Sequence, residues 1–283
     1  MGMKVDEFKN IIYDLDDETG IVTVTINRPE IKNALTILVL LELYWAVDTI
    51  ENDATVKAVI LTGGKPLDMD ASDEEAFSSG GYFNLADLEA LDEKTKSDID
   101  LTDIAQKRLC LKMWQLDKPV IAAINGLAIG GGFTIPLACA DLIYISENAW
   151  VKLPFINLGL IPELASSYLL PRLVGFQRAK EIIFFGEKLS AQKLYDMGLV
   201  NQVLPHDELL PHAKLMAMKL IPPLGAGLAT RLAKQAMHMP LIEAVTKALD
   251  IENEGLNQTI ASADFWEALA ARKEKREPMF KGK

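Results

Sequence analysis

The chain has 283 residues, 49% hydrophobic and 24% charged, with 40 acidic against 29 basic side chains and a net charge of −11. That composition suits a globular protein with a sizeable core, built as one large domain or one domain with an appendage, and not a disordered one. The acidic balance speaks against sequence-independent nucleic-acid binding, which needs a basic face, and no apolar run reaches the roughly 18–20 residues that span a bilayer.

Residues 1–6 and the polar stretch behind them predict no signal peptide. Residues 21–26, Ile-Val-Thr-Val-Thr-Ile, alternate apolar residues with Thr and predict a half-buried strand, stopped at Pro29, which cannot continue a central ladder. Residues 36–52 predict a helix with Thr36 as N-cap and apolar residues on most faces, so burial on more than one side is expected. A second strand is predicted at 57–62, ended by Gly63 and Gly64. The acidic stretch 65–75 has no periodicity and reads as a solvated loop; Asp68, Asp70 and Ser72 would begin a calcium loop, but Asp73 stands where such a loop needs glycine. After a polar segment at 92–103, a helix leads to the turn residue Asp117 and to Lys118-Pro119. Residues 120–124, Val-Ile-Ala-Ala-Ile, form a continuous apolar run that suits a fully buried strand, turned by Asn125-Gly126.

Alternation of β and α patterns up to about residue 205 predicts an α/β core, and beyond it helical patterns dominate at 213–220, 227–237, 241–261 and 265–276. The division expected is therefore a core over 1–205 and a helical region over 206–283. Cys110 and Cys139 cannot build a disulfide framework and read as small buried hydrophobes in a reducing, cytoplasmic setting. His206, His212 and His238 sit in the C-terminal third, away from the glycine-rich loops at 76–81 and 130–132, and lack metal-ligand spacing, so no metal is expected, and Trp114, Trp150 and Trp266 read as core or interface.

Two glycine-rich stretches follow strands, one ending in Gly80-Gly81 and the other Gly130-Gly131-Gly132. A helix beginning at Gly132 would aim unpartnered N–H groups at whatever sits before it, and two convergent N–H groups make an oxyanion hole for a thioester oxygen. The triplet is not a G-x-G-x-x-G, so a dinucleotide site is not supported.

The ordered set of motifs resembles the crotonase (enoyl-CoA hydratase/isomerase) superfamily. Residues 25–30 with Asn33-Ala34-Leu35 look like its opening signature, residues 76–81 like its first oxyanion loop, and residues 118–132 like its second. Residues 157–162, Ser190-Ala191 with Gly198-Leu199-Val200, and Glu274-Lys275-Arg276 match as well, so the resemblance covers roughly residues 20–280. It implies an α/β fold, a spiral of ββα units with a C-terminal helical region, assembled as a homotrimer or a dimer of trimers. It further implies an acyl-CoA thioester as substrate, with coenzyme A part of that substrate and no other cofactor. Carried over by position, the backbone N–H groups of Gly81 and Gly131 would form the oxyanion hole. Lys32 and Ala34 would lie along CoA and Ser79 near its adenine, with Gly80, Tyr82 and Phe155 also at the substrate. Lys275 matches a lysine that meets the CoA phosphates from a neighbouring subunit; a solvated lysine on a terminal helix is its other reading. At a net charge of −11, an anionic ligand needs local positive charge wherever it binds.

The resemblance breaks where hydration would be catalysed. Adding water wants two carboxylates, and the two slots that hold them in the hydratases are Thr134 (or Ile135, if the following helix has one extra residue) and Phe155 here. A third slot is filled: Glu163 stands where Δ3,Δ2-enoyl-CoA isomerases of this family carry their catalytic glutamate. One carboxylate suffices for a 1,3-proton shift, and an apolar neighbour such as Phe155 would raise its pKa toward the working range. An enoyl-CoA isomerase is therefore the expectation. Open alternatives are thioester hydrolysis or displacement with Glu163 as nucleophile, a hydratase of altered mechanism acting on an enoyl-CoA or cyclic dienoyl-CoA, and a non-catalytic CoA-thioester-binding protein.

Overall fold

Strands that are apolar at every position must be covered on both faces, and the segments at 58–63 and 120–124 are buried throughout. The computed structural model describes residues 3–65, 75–82, 89, 91, 93–98 and 103–283. The strands are β1 (Ile11–Asp16), β2 (Ile21–Ile26), β3 (Ala58–Gly63), β4 (Ala76–Ser78), β5 (Val120–Ile124), β6 (Leu127–Ile129), β7 (Leu142–Ser146), β8 (Trp150–Lys152), β9 (Leu189–Ser190) and β10 (Gln202–Leu204). The α-helices are α1 (Ile37–Asn52), α2 (Glu93–Asp98), α3 (Cys110–Gln115), α4 (Gly131–Cys139), α5 (Ser166–Val174), α6 (Phe176–Phe185), α7 (Ala191–Asp196), α8 (Leu209–Leu220), α9 (Gly227–His238), α10 (Ile242–Ile260) and α11 (Ala263–Glu274).

The large sheet runs β1-β2-β3-β5-β7-β10, antiparallel between β1 and β2 and parallel elsewhere. Ile60, Ile121 and Ala123 on one face pack against Leu209, Ala213 and Ala217 of α8. Val59, Leu61, Val120, Ala122 and Ile124 on the other enter the main core. The second sheet is β4-β6-β8-β9. Each successive strand pair, β3/β4, β5/β6 and β7/β8, places its first strand in the large sheet and its second in the small one. Parallel pairing between successive pairs advances the chain by one strand spacing, about 4.8 Å, per turn. This is the α/β spiral that the resemblance implied.

Helix α1 begins as its sequence dictates, with Thr36 Oγ1 accepting from the Val39 N–H at 3.2 Å. Val39, Leu43 and Ile50 enter the main core while Leu41 meets Ile104 on another side. Its buried Glu42 accepts hydrogen bonds from the N–H groups of Asn10 and Ile11, at 2.7 and 3.0 Å, and so anchors β1. Beyond His206 the regular structure among the described residues is helical. Helix α8 packs on the large sheet, and α9 is held by Lys234 Nζ, 2.8 Å from Asp141 Oδ2, and by His238 stacked on Trp114 with ring centroids 4.3 Å apart. Cys110 and Cys139 are free and buried, and the Cys139 sulfur alongside, with burial, pushes the Cys110 thiol well up. Asp68, Asp70 and Ser72, weighed above as the start of a calcium loop, lie outside the described residues, as does most of the stretch 65–75. Among the described residues no cluster of three potential ligands could hold a metal, and no helix is long and apolar enough to cross a membrane.

Candidate active site

After β2 the chain makes one 3-10 turn, Pro29–Ile31, and then places Lys32 and Asn33 in the left-handed region, with φ of 53° and 52°. Asn tolerates that region better than most residues, and the buried Asn33 side chain fixes it there. Its Oδ1 accepts from the Arg28 N–H at 2.9 Å, and its Nδ2 donates to the carbonyls of Gly64 at 2.8 Å and Ala76 at 2.7 Å. The segment after it runs beside the first glycine loop. The Ser79 N–H donates to the Lys32 carbonyl at 2.9 Å and the Leu35 N–H to Gly80 at 2.8 Å, and the Tyr82 N–H donates back to Leu35 at 3.2 Å. Successive N–H groups of an extended strand point to opposite edges. Since the bonds flanking Gly81 both go to Leu35, the N–H of Gly81 points away from it.

The second loop approaches from the other side. Gly130 follows β6 with φ of 52° and ψ of −121°, and α4 starts at Gly131, one residue earlier than the sequence suggested. The N–H of a first helical residue has no partner within its own helix. A Cβ on Gly80, whose φ is +87°, would lie 2.4 Å from the Ile129 carbonyl oxygen and 3.8 Å from the Gly131 nitrogen; one on Gly132 would lie 2.3 Å from the Ser78 carbonyl oxygen. The two loops meet backbone to backbone, which side chains there would prevent.

Glu163 closes the site. A Cβ built on Gly131 would be 3.1 Å from Glu163 Oε1, so the carboxylate faces the start of α4. Its side chain keeps some contact with solvent, but protein encloses the carboxyl group. Burial, and after it the negative charge of Glu252, push the Glu163 pKa up to about 7, against the opposing pull of the nearby Gly131 N–H. Such a carboxyl group is matched to proton transfer near neutral pH. Phe155 is buried, and its ring lies 3.7 Å from the Cβ position of Gly130. Thr134 is fully buried, its hydroxyl donating to the Gly130 carbonyl at 3.3 Å, and Ile135 is buried beside it. Neither of the two remaining slots holds an acid.

The chain thus brings together Ala34, Ser79, Gly80, Gly81, Gly131, Phe155 and Glu163, with Lys32 and Tyr82 exposed on the two adjoining segments. Lys275 is the exposed left-handed cap of α11, and its N–H bonds within that helix to Arg272. His206 corrects one expectation: rather than lying away from the matched loops, it sits at the root of the first. Its Nε2 is 3.1 Å from Glu75 Oε1, and its Nδ1 is 3.0 Å from the Ser146 hydroxyl. Two further residues escaped the sequence reading. Gln106, in a π-helical turn (Ile104–Leu109), accepts from the Leu164 N–H at 2.8 Å, and Glu252 of α10 accepts from Ala165 at 2.7 Å and Ser167 at 2.9 Å. A signal for Glu252 was present: it falls on the same stripe as the buried Val245, Ala248 and Leu249.

Comparison with known proteins places this geometry in context. The family model for enoyl-CoA hydratase/isomerase matches residues 16–283. The short-chain-enoyl-CoA hydratase of Clostridium acetobutylicum is 35% identical over 95% of this chain and 97% of its own length. The 1,2-epoxyphenylacetyl-CoA isomerase of Escherichia coli is 31% identical over 94% of this chain and 97% of its own. A crystal structure of an enoyl-CoA hydratase/isomerase from Pseudoalteromonas atlantica superimposes with a TM-score of 0.82 at 30% identity, covering 96% of this chain and 100% of that one.

Proposed function

The chain belongs to the enoyl-CoA hydratase/isomerase family, and from that premise we propose that it is an enoyl-CoA isomerase in which Glu163 alone moves the proton. The observation that carries this reading is the raised carboxyl group of Glu163 facing Gly131, with only Thr134, Ile135 and Phe155 in the other slots. A 3-enoyl-CoA would set its thioester oxygen between the N–H groups of Gly81 and Gly131. The Glu163 carboxylate removes a proton from C2, and the C–H electron pair forms a C1–C2 double bond as the carbonyl pair moves onto the thioester oxygen. The result is a dienolate, conjugated with the C3–C4 double bond, with its charge on that oxygen. The oxyanion hole holds this charge. Protonated Glu163 then returns the proton to C4, the double bond moves to C2–C3, and the carboxylate is restored. Phe155 keeps the site apolar, while Lys32 supplies positive charge beside a ligand that the acidic chain otherwise repels.

A hydratase is the second reading, favoured by the name of the Clostridium relative. It needs a second group to activate water, and the further carboxylate at the site, Glu252, already accepts two backbone hydrogen bonds. The pH dependence of kcat/KM for a 3-enoyl-CoA tests the isomerase reading. The base works ionised, so the rate should rise with pH through an apparent pKa near the value of about 7 that burial gives Glu163. A limb at the ordinary carboxylate value of 4.5 would point to another base.

The substrate site is read as completed by assembly. Leu228 and Leu232 lie one turn apart on α9 and are 68% and 54% exposed, and Phe184 and Phe185 of α6 are also exposed. Apolar surface of this kind favours a second copy of the chain. Light scattering should give a trimer or hexamer mass. A monomer at micromolar concentration would contradict this and remove Lys275 from the CoA site.

A further inference from the structure

Immediately after Glu163, Leu164 and Ala165 both lie in the left-handed region, with φ of 57° and 58°. Two consecutive side-chain-bearing residues there are strained, and such strain persists only when the surroundings over-determine it. Here they do. The Leu164 N–H is taken by Gln106, and the N–H groups of Ala165 and Ser167 by the two carboxylate oxygens of Glu252. The Glu163 carbonyl is fixed as well, accepting from the Ser166 N–H at 3.1 Å and the Ser166 hydroxyl at 2.6 Å. Gln106 and Glu252 come from elements that are themselves joined, since Asn253 Nδ2 of α10 donates at 3.0 Å to Asp103 Oδ1, which caps the π turn. π turns of this kind are frequent at functional sites.

We propose that Glu252, together with Gln106, is a positioning residue: it clamps the left-handed backbone at Leu164 and Ala165 so that the Glu163 carboxylate faces Gly131. The inference rests on the reading of Glu163 as the base. Glu252 is buried, and the groups its oxygens meet are the backbone N–H groups of Ala165 and Ser167 and the Ser167 hydroxyl rather than a cation. A carboxylate suits this task, because it alone offers two acceptors without a donor that would clash with the facing N–H groups. Its charge has a second effect. Among the described residues, the titratable groups facing Glu163 and Glu252 from the packed elements include the buried Cys110 thiol of α3 and Asp103 of the π turn, whose Oδ1 accepts from Asn253, with the Lys107–Asp250 ion pair farther out. Burial raises the pKa of Glu252 as well, against the hydrogen bonds it accepts from Ser167 and Ala165. In its ionised form Glu252 disfavours the ionised form of Glu163 and so strengthens it as a base. Neutralising Glu252 lowers the Glu163 pKa and moves the acid limb of the rate profile to lower pH.

The test compares Glu252→Gln, Gln106→Met and Glu163→Gln with the wild type on a 3-enoyl-CoA, reading kcat, KM and the pH profile, with folding checked by circular dichroism. Misplacing a catalytic group by about 1 Å costs on the order of 10²-fold. Glu252→Gln keeps one acceptor of two, and should lower kcat by about 10- to 10²-fold with KM little changed and the acid limb moved to lower pH. Gln106→Met removes an acceptor without touching a charge, and should lower kcat with the limb in place. Wild-type kcat and an unmoved limb in Glu252→Gln, alongside an inactive Glu163→Gln, would overturn the positioning role while leaving the base in place. An active Glu163→Gln would instead remove the base, and the positioning role with it. Should Glu252→Gln not fold, Gln106→Met decides: wild-type kcat there overturns the clamp.

Discussion

Replacing Glu163 by Gln lowers turnover of a 3-enoyl-CoA by about 10²–10⁴-fold, the usual contribution of a general base, and leaves affinity for the thioester nearly unchanged. The amide keeps the size of the side chain and an acceptor oxygen toward Gly131, but it cannot take a proton from C2. The same substitution should not cost stability. The folded-state pKa of about 7 lies above the ordinary 4.5, so the unfolded chain releases this proton first, and the native state loses stability as pH rises between those values. The Gln variant escapes that loss, and its Tm at pH 8 should equal or exceed that of the wild type. Steady-state kinetics and thermal melts on one preparation check both halves. Wild-type turnover in Glu163→Gln would move the base elsewhere.

Gly131→Pro deletes the N–H proposed as an oxyanion donor, and loss of such a donor typically costs about 2.7–4 kcal/mol of barrier, or about 10²–10³-fold in kcat. Gly131 is the first residue of α4, the helical position that accepts proline most readily because its N–H has no partner in the helix. The added carbon atoms must still fit beside Leu35 Cδ1, 2.9 Å from the Cβ position. Gly131→Ala is the control, since it adds the same Cβ and keeps the N–H. The expected order is wild type, then the Ala variant, then the Pro variant slowest by far, all three with folded circular dichroism spectra. Equal rates in the Ala and Pro variants would take the Gly131 N–H out of the oxyanion hole.

The parts of the fold that could be read from the sequence are those whose burial leaves a period or an unbroken apolar run. Strands β2 and β5 fall at the predicted residues and β3 one residue later, and Thr36 caps α1 as expected. The four C-terminal helices also appear, with ends displaced by up to a few residues. The small sheet was invisible because β4, β6, β8 and β9 are two or three residues long, too short to show alternation. Strand β1 was missed because Ile12, on its solvent face, is 47% exposed and masks the alternation. Glu163 came into view only through the family resemblance; in the sequence it is one glutamate behind a proline. The clamp around it was out of reach, because Gln106 and Glu252 meet their partners across 58 and 87 positions of chain. His206 was misplaced for the same reason, its bond to Ser146 spanning 60 positions.

The isomerase reading meets its most direct test in D₂O, with a 3-enoyl-CoA as substrate and mass spectrometry as the readout. With Glu163 as the single proton carrier, the product should be the conjugated 2-enoyl-CoA. It should carry deuterium at C2 or C4, because the protonated carboxyl group exchanges with solvent while the dienolate lives, and it should not gain the mass of water. Under the same conditions a 2-enoyl-CoA should yield little 3-hydroxyacyl-CoA. Rapid hydration of the 2-enoyl-CoA, with the 3-enoyl-CoA left unconverted, would contradict the single-carboxylate isomerase and show that water is activated without an acid at Thr134 or Phe155.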